Sequence, residues 1–177
     1  MSRPRVLPLA VAIAAAAVFA VSCSEPVTPP PPPPAAPQNS LLGGLLGATG
    51  LLSCNALPYD SVTQTVGPNG GIIQVGPHYL AVPYGALSSP VSITAVIPSG
   101  SRINQVRFKP EGLQFQRSAA LTMSYANCNL LGKLLPKRIA YIDANQNILE
   151  YLLSLDLLNL RNVTGQLRHF SAYAVAW

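Results

Sequence analysis

Few side chains in this 177-residue chain could carry out chemistry, and their spacing excludes several kinds of site. There are three cysteines, two histidines (His78 and His169) and six acidic residues. Because no C-x-x-C pair accompanies the two histidines, we predict no metal site. The nucleophile motif G-x-S-x-G and the phosphate motif G-x-G-x-x-G are also absent. With charged residues at only 10%, we expect no acid–base active site and no cofactor.

The N-terminus has the pattern of an export signal. Met1 to Arg5 carries two arginines, and Val6 to Val21 has no charge; this is shorter than the about 20 apolar residues of a spanning helix. The segment ends in Ala20-Val21-Ser22-Cys23, which resembles the lipobox of bacterial lipoproteins. That resemblance implies cleavage before Cys23 and lipidation of its thiol, and simple secretion or an uncleaved anchor are the alternatives. We expect a chain that is lipid-anchored in a bacterial cell envelope, facing the periplasm or the cell surface.

Export would place the other two cysteines, Cys54 and Cys128, in an oxidising compartment. We predict a disulfide between them, with two buried free thiols as the alternative. In the loop-entropy model, closing a loop of about 74 residues stabilises a fold by about 4 kcal/mol.

A proline-rich spacer follows Cys23, with six consecutive prolines from Pro29 to Pro34. Polyproline extends by about 3.1 Å per residue, so the segment from Pro26 to Pro37 would reach about 37 Å. Such a stalk would hold a folded module off the membrane. A ligand for an aromatic groove is the alternative interpretation.

Leucines recur in three segments: 41–52, 130–135 and 152–160. The first interpretation is that they pack onto the domain and extend its core, and the second is an exposed patch that contacts lipid or a partner. Plain low complexity is the third. The predicted organisation is a signal peptide at 1–22, a linker at 23–54 that is first Pro-rich and then Leu/Gly-rich, and a folded domain at 55–177.

The folded body carries nine basic and five acidic side chains that are scattered along it, so nucleic acid is not a predicted partner. Short alternating runs, such as 71–75 and 91–97, are separated by Gly and Pro turns. This pattern predicts an all-β fold, an antiparallel β-sandwich or barrel. We expect strand plus loop over 148–158, and one long run over 167–177 whose Phe170 shares a face with Ala172, Ala174 and Ala176.

Residues 66–87 read VGPNGGIIQVGPHYLAVPYGAL, a glycine hairpin, an apolar strand and then a "L-x-VP-x-GAL" element. This segment resembles the opening of ZU5 domains, and the matching residues are Gly70, Gly71, Leu80, Val82, Pro83, Gly85, Ala86 and Leu87. The likeness continues to Trp177. It implies a ZU5-like β-sandwich that serves as an interaction module.

The ZU5 resemblance also implies one chemical possibility, at His169-Phe170-Ser171 near the C-terminus. Some members of the family cut themselves within this tripeptide. In this chain the Ser171 hydroxyl would attack the Phe170 carbonyl, with His169 as the base; the Phe170–Ser171 peptide bond would be replaced by an ester, which water would then hydrolyse. The alternative is structural: Phe170 is a core residue, and its two neighbours flank it on the other face.

Taken together, the sequence predicts a non-catalytic binding or structural module of the envelope. Its partners would be the membrane, through lipidated Cys23, and an unidentified envelope protein or glycan. Self-cleavage is one alternative. A carbohydrate-binding module is the other, and it would need a platform of exposed aromatic side chains such as Tyr79, Tyr84 and Tyr151.

Overall fold

The computed structural model describes residues 50–131 and 133–177. The predicted signal peptide, Cys23 and the proline stalk lie outside the described residues. Within the described part of the chain there is no α-helix, and no helix is long and apolar enough to span a membrane.

Eleven strands form two antiparallel sheets. In chain order they are β1 (Asp60–Val66), β2 (Gly71–Val75), β3 (His78–Val82), β4 (Val91–Ile97), β5 (Gln105–Lys109), β6 (Gln114–Ser124), β7 (Arg138–Ile142), β8 (Ile148–Tyr151), β9 (Ser154–Leu157), β10 (Asn162–His169) and β11 (Ala172–Ala176). One sheet has the order β1-β4-β5-β11-β7-β8 and the other β2-β3-β6-β10-β9. The predicted all-β sandwich is confirmed.

The period-two alternation of the sequence fixes which side of each strand is buried. In β4, Ile93, Ala95 and Ile97 face inward and are fully or almost fully buried. The two sheets close over a single large cluster in which Phe170 stacks on Phe108, with ring centroids 5.0 Å apart. The strand expected at the start of 148–158 is confirmed as β8, but the expected loop is wrong over 154–157, which form a second strand, β9, in the other sheet.

The C-terminal run differs from its prediction. Residues 167–177 are divided between β10 in one sheet and β11 in the other, so they do not form one strand. The chain crosses between the sheets at Phe170-Ser171, and this crossing changes the side to which later residues point. Phe170 therefore shares the main core with Tyr173, whereas Ala174 and Ala176 lie in a smaller second cluster.

Residues 50–54, which the sequence placed in the linker, are hydrogen-bonded to the sandwich. Gly50 and Trp177 exchange two backbone hydrogen bonds, of 3.2 and 3.0 Å, and the Leu52 N–H donates to the Val175 carbonyl at 3.0 Å. Leu52 is fully buried. The folded body therefore extends on the N-terminal side of the predicted boundary. Residues Gly50 to Leu52 pair with the last part of β11 and Trp177, beyond the positions where β11 pairs with β5.

His78 is a buried titratable group at the start of β3. The backbone N–H of Ser124 donates to its Nδ1 at 3.1 Å, and its Nε2 has no hydrogen-bond partner among the described residues. Burial lowers the pKa of the imidazole to about 4. The ring is therefore neutral at pH 7, with its proton on Nε2.

We expect this histidine alone to lower the free energy of unfolding by about 2 kcal/mol between neutral pH and pH 5. The folded-state pKa lies below the ordinary value of 6.5, so the unfolded chain takes up the proton first. Stability is therefore lost as the pH falls from about 6.5 toward about 4. The measurement is urea unfolding at pH 7 and pH 5 of the wild type and of His78→Asn, which keeps an acceptor for Ser124 but cannot titrate. An equal pH dependence in both proteins would contradict this assignment.

Candidate functional site

The His169-Phe170-Ser171 tripeptide lies at the crossing between β10 and β11, beside the loop that joins β5 to β6. Backbone hydrogen bonds hold it on that loop: the Phe170 N–H donates to the Leu113 carbonyl at 2.8 Å, and the Phe170 carbonyl accepts the Gly112 N–H at 3.0 Å. The Phe170 ring is buried and also meets Phe115 edge-on, with centroids 5.0 Å apart. The middle residue of the tripeptide, Phe170, is thus part of the hydrophobic core.

The side chains of His169 and Ser171 lie in different places. His169 packs edge-on against Tyr141, with centroids 5.3 Å apart, and its carbonyl accepts the Tyr173 hydroxyl at 2.6 Å. Burial raises the pKa of that hydroxyl, which keeps it a donor. Ser171 lines a surface cleft of about 370 Å³ beside Arg107, whereas His169 lines another of about 350 Å³ beside Glu150. No hydrogen bond joins His169 to Ser171 in the described residues.

One element of the arrangement does suit attack on the Phe170 carbonyl. The Gly112 N–H already donates to that oxygen, and a fixed backbone donor of this kind stabilises the oxyanion that forms on attack. The structure thus brings together a serine, its preceding carbonyl and a donor. It places the imidazole of His169 against tyrosine rings.

The residues that resemble ZU5 lie in the turn between β1 and β2, at the start of β2, on β3 and in the loop after β3. Leu80, Val82, Ala86 and Leu87 are buried in the main core. Gly70 has φ +75°, and a Cβ there would meet the backbone of Val82 and Pro83. The Gly85 N–H donates to the Pro68 carbonyl at 2.8 Å. The buried apolar residues, Gly70 and Gly85 therefore have structural reasons for their types, and none of the matching residues presents a reactive group.

The tyrosines considered for glycan binding do not share one surface. Tyr79 lies on β3 in the five-stranded sheet, and Tyr84 follows that strand in a loop. Tyr151 is on β8 in the other sheet, where the Arg138 guanidinium lies 3.9 Å from its ring centroid. They do not form the flat aromatic row that this alternative requires.

The exposed leucines are concentrated at one end of the sandwich, which we call the Trp177 end. It comprises the Gly50–Trp177 pairing, the loop 125–137 from β6 to β7, and the 3₁₀ turn Leu158–Leu160 that joins β9 to β10. Strand register places them together, since β6 ends at Ser124 beside Asn162, and β7 begins at Arg138 beside Ala176. The exposed leucines at this end are Leu131, Leu134, Leu135, Leu157, Leu158 and Leu160.

For the described leucines, this arrangement decides whether they pack onto the core or face solvent. Leu52 packs into the core, as the first interpretation expected, and residues 41–49 of its segment lie outside the described residues. The segments 130–135 and 152–160 instead leave most of their leucines in solvent, and only Leu130 and Leu152 pack partly against the core. For these two segments the core interpretation is wrong, because the loop and the edge strand present those side chains outward.

Lys137 is the residue of this end whose role the sequence did not suggest. It is only 2% exposed, and its Nζ donates to the carbonyls of Lys133 and Leu135 at 2.8 and 2.6 Å. Burial lowers the pKa of its ammonium, whereas the neighbouring carboxylate of Asp156 raises it. The Asp156 carboxylate also accepts the Lys137 backbone N–H at 2.7 Å and the Tyr125 hydroxyl at 2.6 Å.

The described residues contain no cluster of three or more His, Cys, Asp or Glu side chains that could hold a metal ion. No protein-family model matches this chain, and no curated protein matches it. The ZU5 resemblance therefore stays a prediction from the residue pattern.

Proposed function

We propose that this chain is a lipid-anchored envelope protein whose β-sandwich, of ZU5 type, acts as a non-catalytic binding module. The observation that carries the binding role is the Trp177 end, where six leucines stand in solvent on an ordered scaffold. Monomeric soluble domains rarely expose apolar side chains in such a group unless the group binds something. The anchor is supported by the sequence from Ala20 to Cys23 and by the proline stalk that follows it.

The anchor is tested by the intact mass of the protein purified from a bacterial envelope. We expect a chain that begins at Cys23 and carries the added mass of a lipid, and globomycin should block its processing. The matched variant Cys23→Ser should lack the lipid mass and leave the membrane fraction. An unmodified Cys23 in protein from native membranes would overturn the anchor. Crosslinking and pull-down from the same envelopes would then identify protein or glycan partners.

Self-cleavage at Phe170-Ser171 is a second candidate, favoured by the Gly112 N–H on the Phe170 carbonyl. We expect the bond to stay intact in most molecules, because the His169 ring packs against tyrosines and is not hydrogen-bonded to Ser171. The measurement is intact mass under denaturing conditions, which would release the peptide Ser171–Trp177 from a cut chain. Fragments that appear in the wild type but not in Ser171→Ala would establish cleavage instead.

A further inference from the structure

The loop after β6 buries one of its two lysines and leaves most of its leucines in solvent. Lys137 is 2% exposed, whereas Leu131 and Leu134 are 86% and 94% exposed. Lysine is among the residues least often buried, and leucine among the most. The buried ammonium binds carbonyls of the same loop, and these bonds hold the loop in a shape that keeps the leucines in water.

The charge of the Trp177 end complements an anionic surface. Arg102 and Arg161 are exposed there, and Lys133 and Arg138 are half-buried. Two acidic residues, Asp60 and Asp156, lie toward this end, and both carboxylates accept two hydrogen bonds from the protein. Asp156 accepts those described above, and Asp60 accepts the N–H groups of Ser61 and Gly76. The opposite end instead mixes signs, with Glu111 and Asp143 beside Lys109 in one cleft.

The chain that precedes the sandwich is attached at this same end. Gly50 pairs with Trp177, and the Lys133 ammonium lies 3.5 Å from the centroid of the Trp177 ring. Residues 1–49, which include Cys23, therefore join the sandwich beside the exposed leucines. In this respect alone the inference rests on the proposed lipid anchor, which would bring this end close to a membrane.

We infer that the Trp177 end docks on the surface of a membrane that contains anionic lipids. Leu131 and Leu134 enter the boundary between headgroups and acyl chains, joined by the leucines of the 3₁₀ turn. The flanking cations contact the headgroups, as in other interfacial segments that combine apolar side chains with Lys and Arg. The separation from the membrane that the proline stalk would provide then applies only to the undocked state.

A tether makes a weak contact of this kind effective. A linked surface is presented at a high local concentration, so a contact that binds only weakly from solution can be occupied most of the time. The stalk sets how far the module can travel from its anchor. The leucines and cations determine which end of the module contacts the membrane.

The experiment uses the single tryptophan of the chain as an energy-transfer donor. The lipidated, host-processed protein is reconstituted into vesicles of phosphatidylcholine with about a third phosphatidylglycerol and a trace of dansyl-headgroup lipid. We expect strong transfer from Trp177, reduced in pure phosphatidylcholine and at high salt. Leu131→Ser/Leu134→Ser should lower it, and in the unlipidated Cys23→Ser chain the same double change should weaken vesicle binding about tenfold or more.

The matched control is Tyr84→Ser, which removes a side chain that is 71% exposed at the opposite end. It should leave transfer unchanged, and circular dichroism checks that all variants are folded. Two results would overturn the docking, provided that the protein floats with the vesicles. One is low energy transfer in the wild type, and the other is energy transfer that the leucine changes do not affect. A protein that does not float refutes the anchor instead, and vesicle binding by Cys23→Ser then still tests the docking.

Discussion

Removal of the Cys54–Cys128 disulfide should lower the melting temperature by about 15 °C. The bond joins residues 74 positions apart, and the loss of this constraint on the unfolded chain is worth about 4 kcal/mol, which a domain of this size converts into that shift. Backbone hydrogen bonds lie on both sides of it, from Asn55 to Asn127 at 3.0 Å and from Asn129 to Ser53 at 2.9 Å. These bonds remain in the reduced protein, so the fold should persist at room temperature.

The measurement is thermal unfolding followed by circular dichroism, with and without reductant. The double variant Cys54→Ala/Cys128→Ala should melt like the reduced wild type, and reductant should not change it further. A double variant that melts within about 3 °C of the oxidised wild type would show that the cross-link contributes little.

Gly70→Ala should lower the free energy of unfolding by about 2–4 kcal/mol. Gly70 has φ +75°, which an L-residue adopts at a cost, and its added Cβ would overlap the Val82 carbonyl oxygen and lie 2.8 Å from the carbonyl carbon of Pro83. Both neighbours are backbone atoms, so no side-chain rotation relieves the contact. The turn would have to separate from the loop after β3.

The chain supplies a control with the same backbone conformation. Gly100 has φ +71° and nothing within 4 Å of an added Cβ, so Gly100→Ala should lose only about 1 kcal/mol, the conformational part. Urea unfolding of both variants isolates the steric part as their difference. Equal losses would refute the close approach of Gly70 to the Val82–Pro83 backbone.

Local pattern was sufficient to predict the sandwich, because alternation and turn residues each act over a few positions. The segment from Gly70 to Leu87 is the clearest case. Its apolar residues are buried in the main core, Gly70 and Gly85 have positive φ, and Gly70 also approaches the backbone of Val82 and Pro83 too closely for a Cβ. The Cys54–Cys128 pairing was predictable for a different reason: the lipobox resemblance assigned Cys23 to lipidation, which left one possible pair, and the disulfide between Cys54 and Cys128 is confirmed.

Features that depend on distant contacts were not predictable. Alternation over residues 167–177 cannot reveal that the chain changes sheets at Phe170, because the pattern does not record which strands lie beside it. Residue type predicts that Leu134 is buried and Lys137 exposed, and the fold reverses both. The Lys137 ammonium binds two carbonyls of its own loop, at Lys133 and Leu135, and lies near the carboxylate of Asp156, which is distant in sequence, so its burial depends on how the folded chain shapes that loop beside β9.

The pairing of Gly50 with Trp177 has a mechanical consequence for a tethered protein. Tension on the N-terminal tether would enter the sandwich at Gly50 and separate Gly50 and Leu52 from β11 one hydrogen bond at a time, which requires little force. The separation would stop at Cys54, since that residue is covalently joined to Cys128. From there the load would pass to the loop after β6 and be shared by both sheets. In the proposed anchored protein, the disulfide would therefore act as a mechanical stop between the tether and the core.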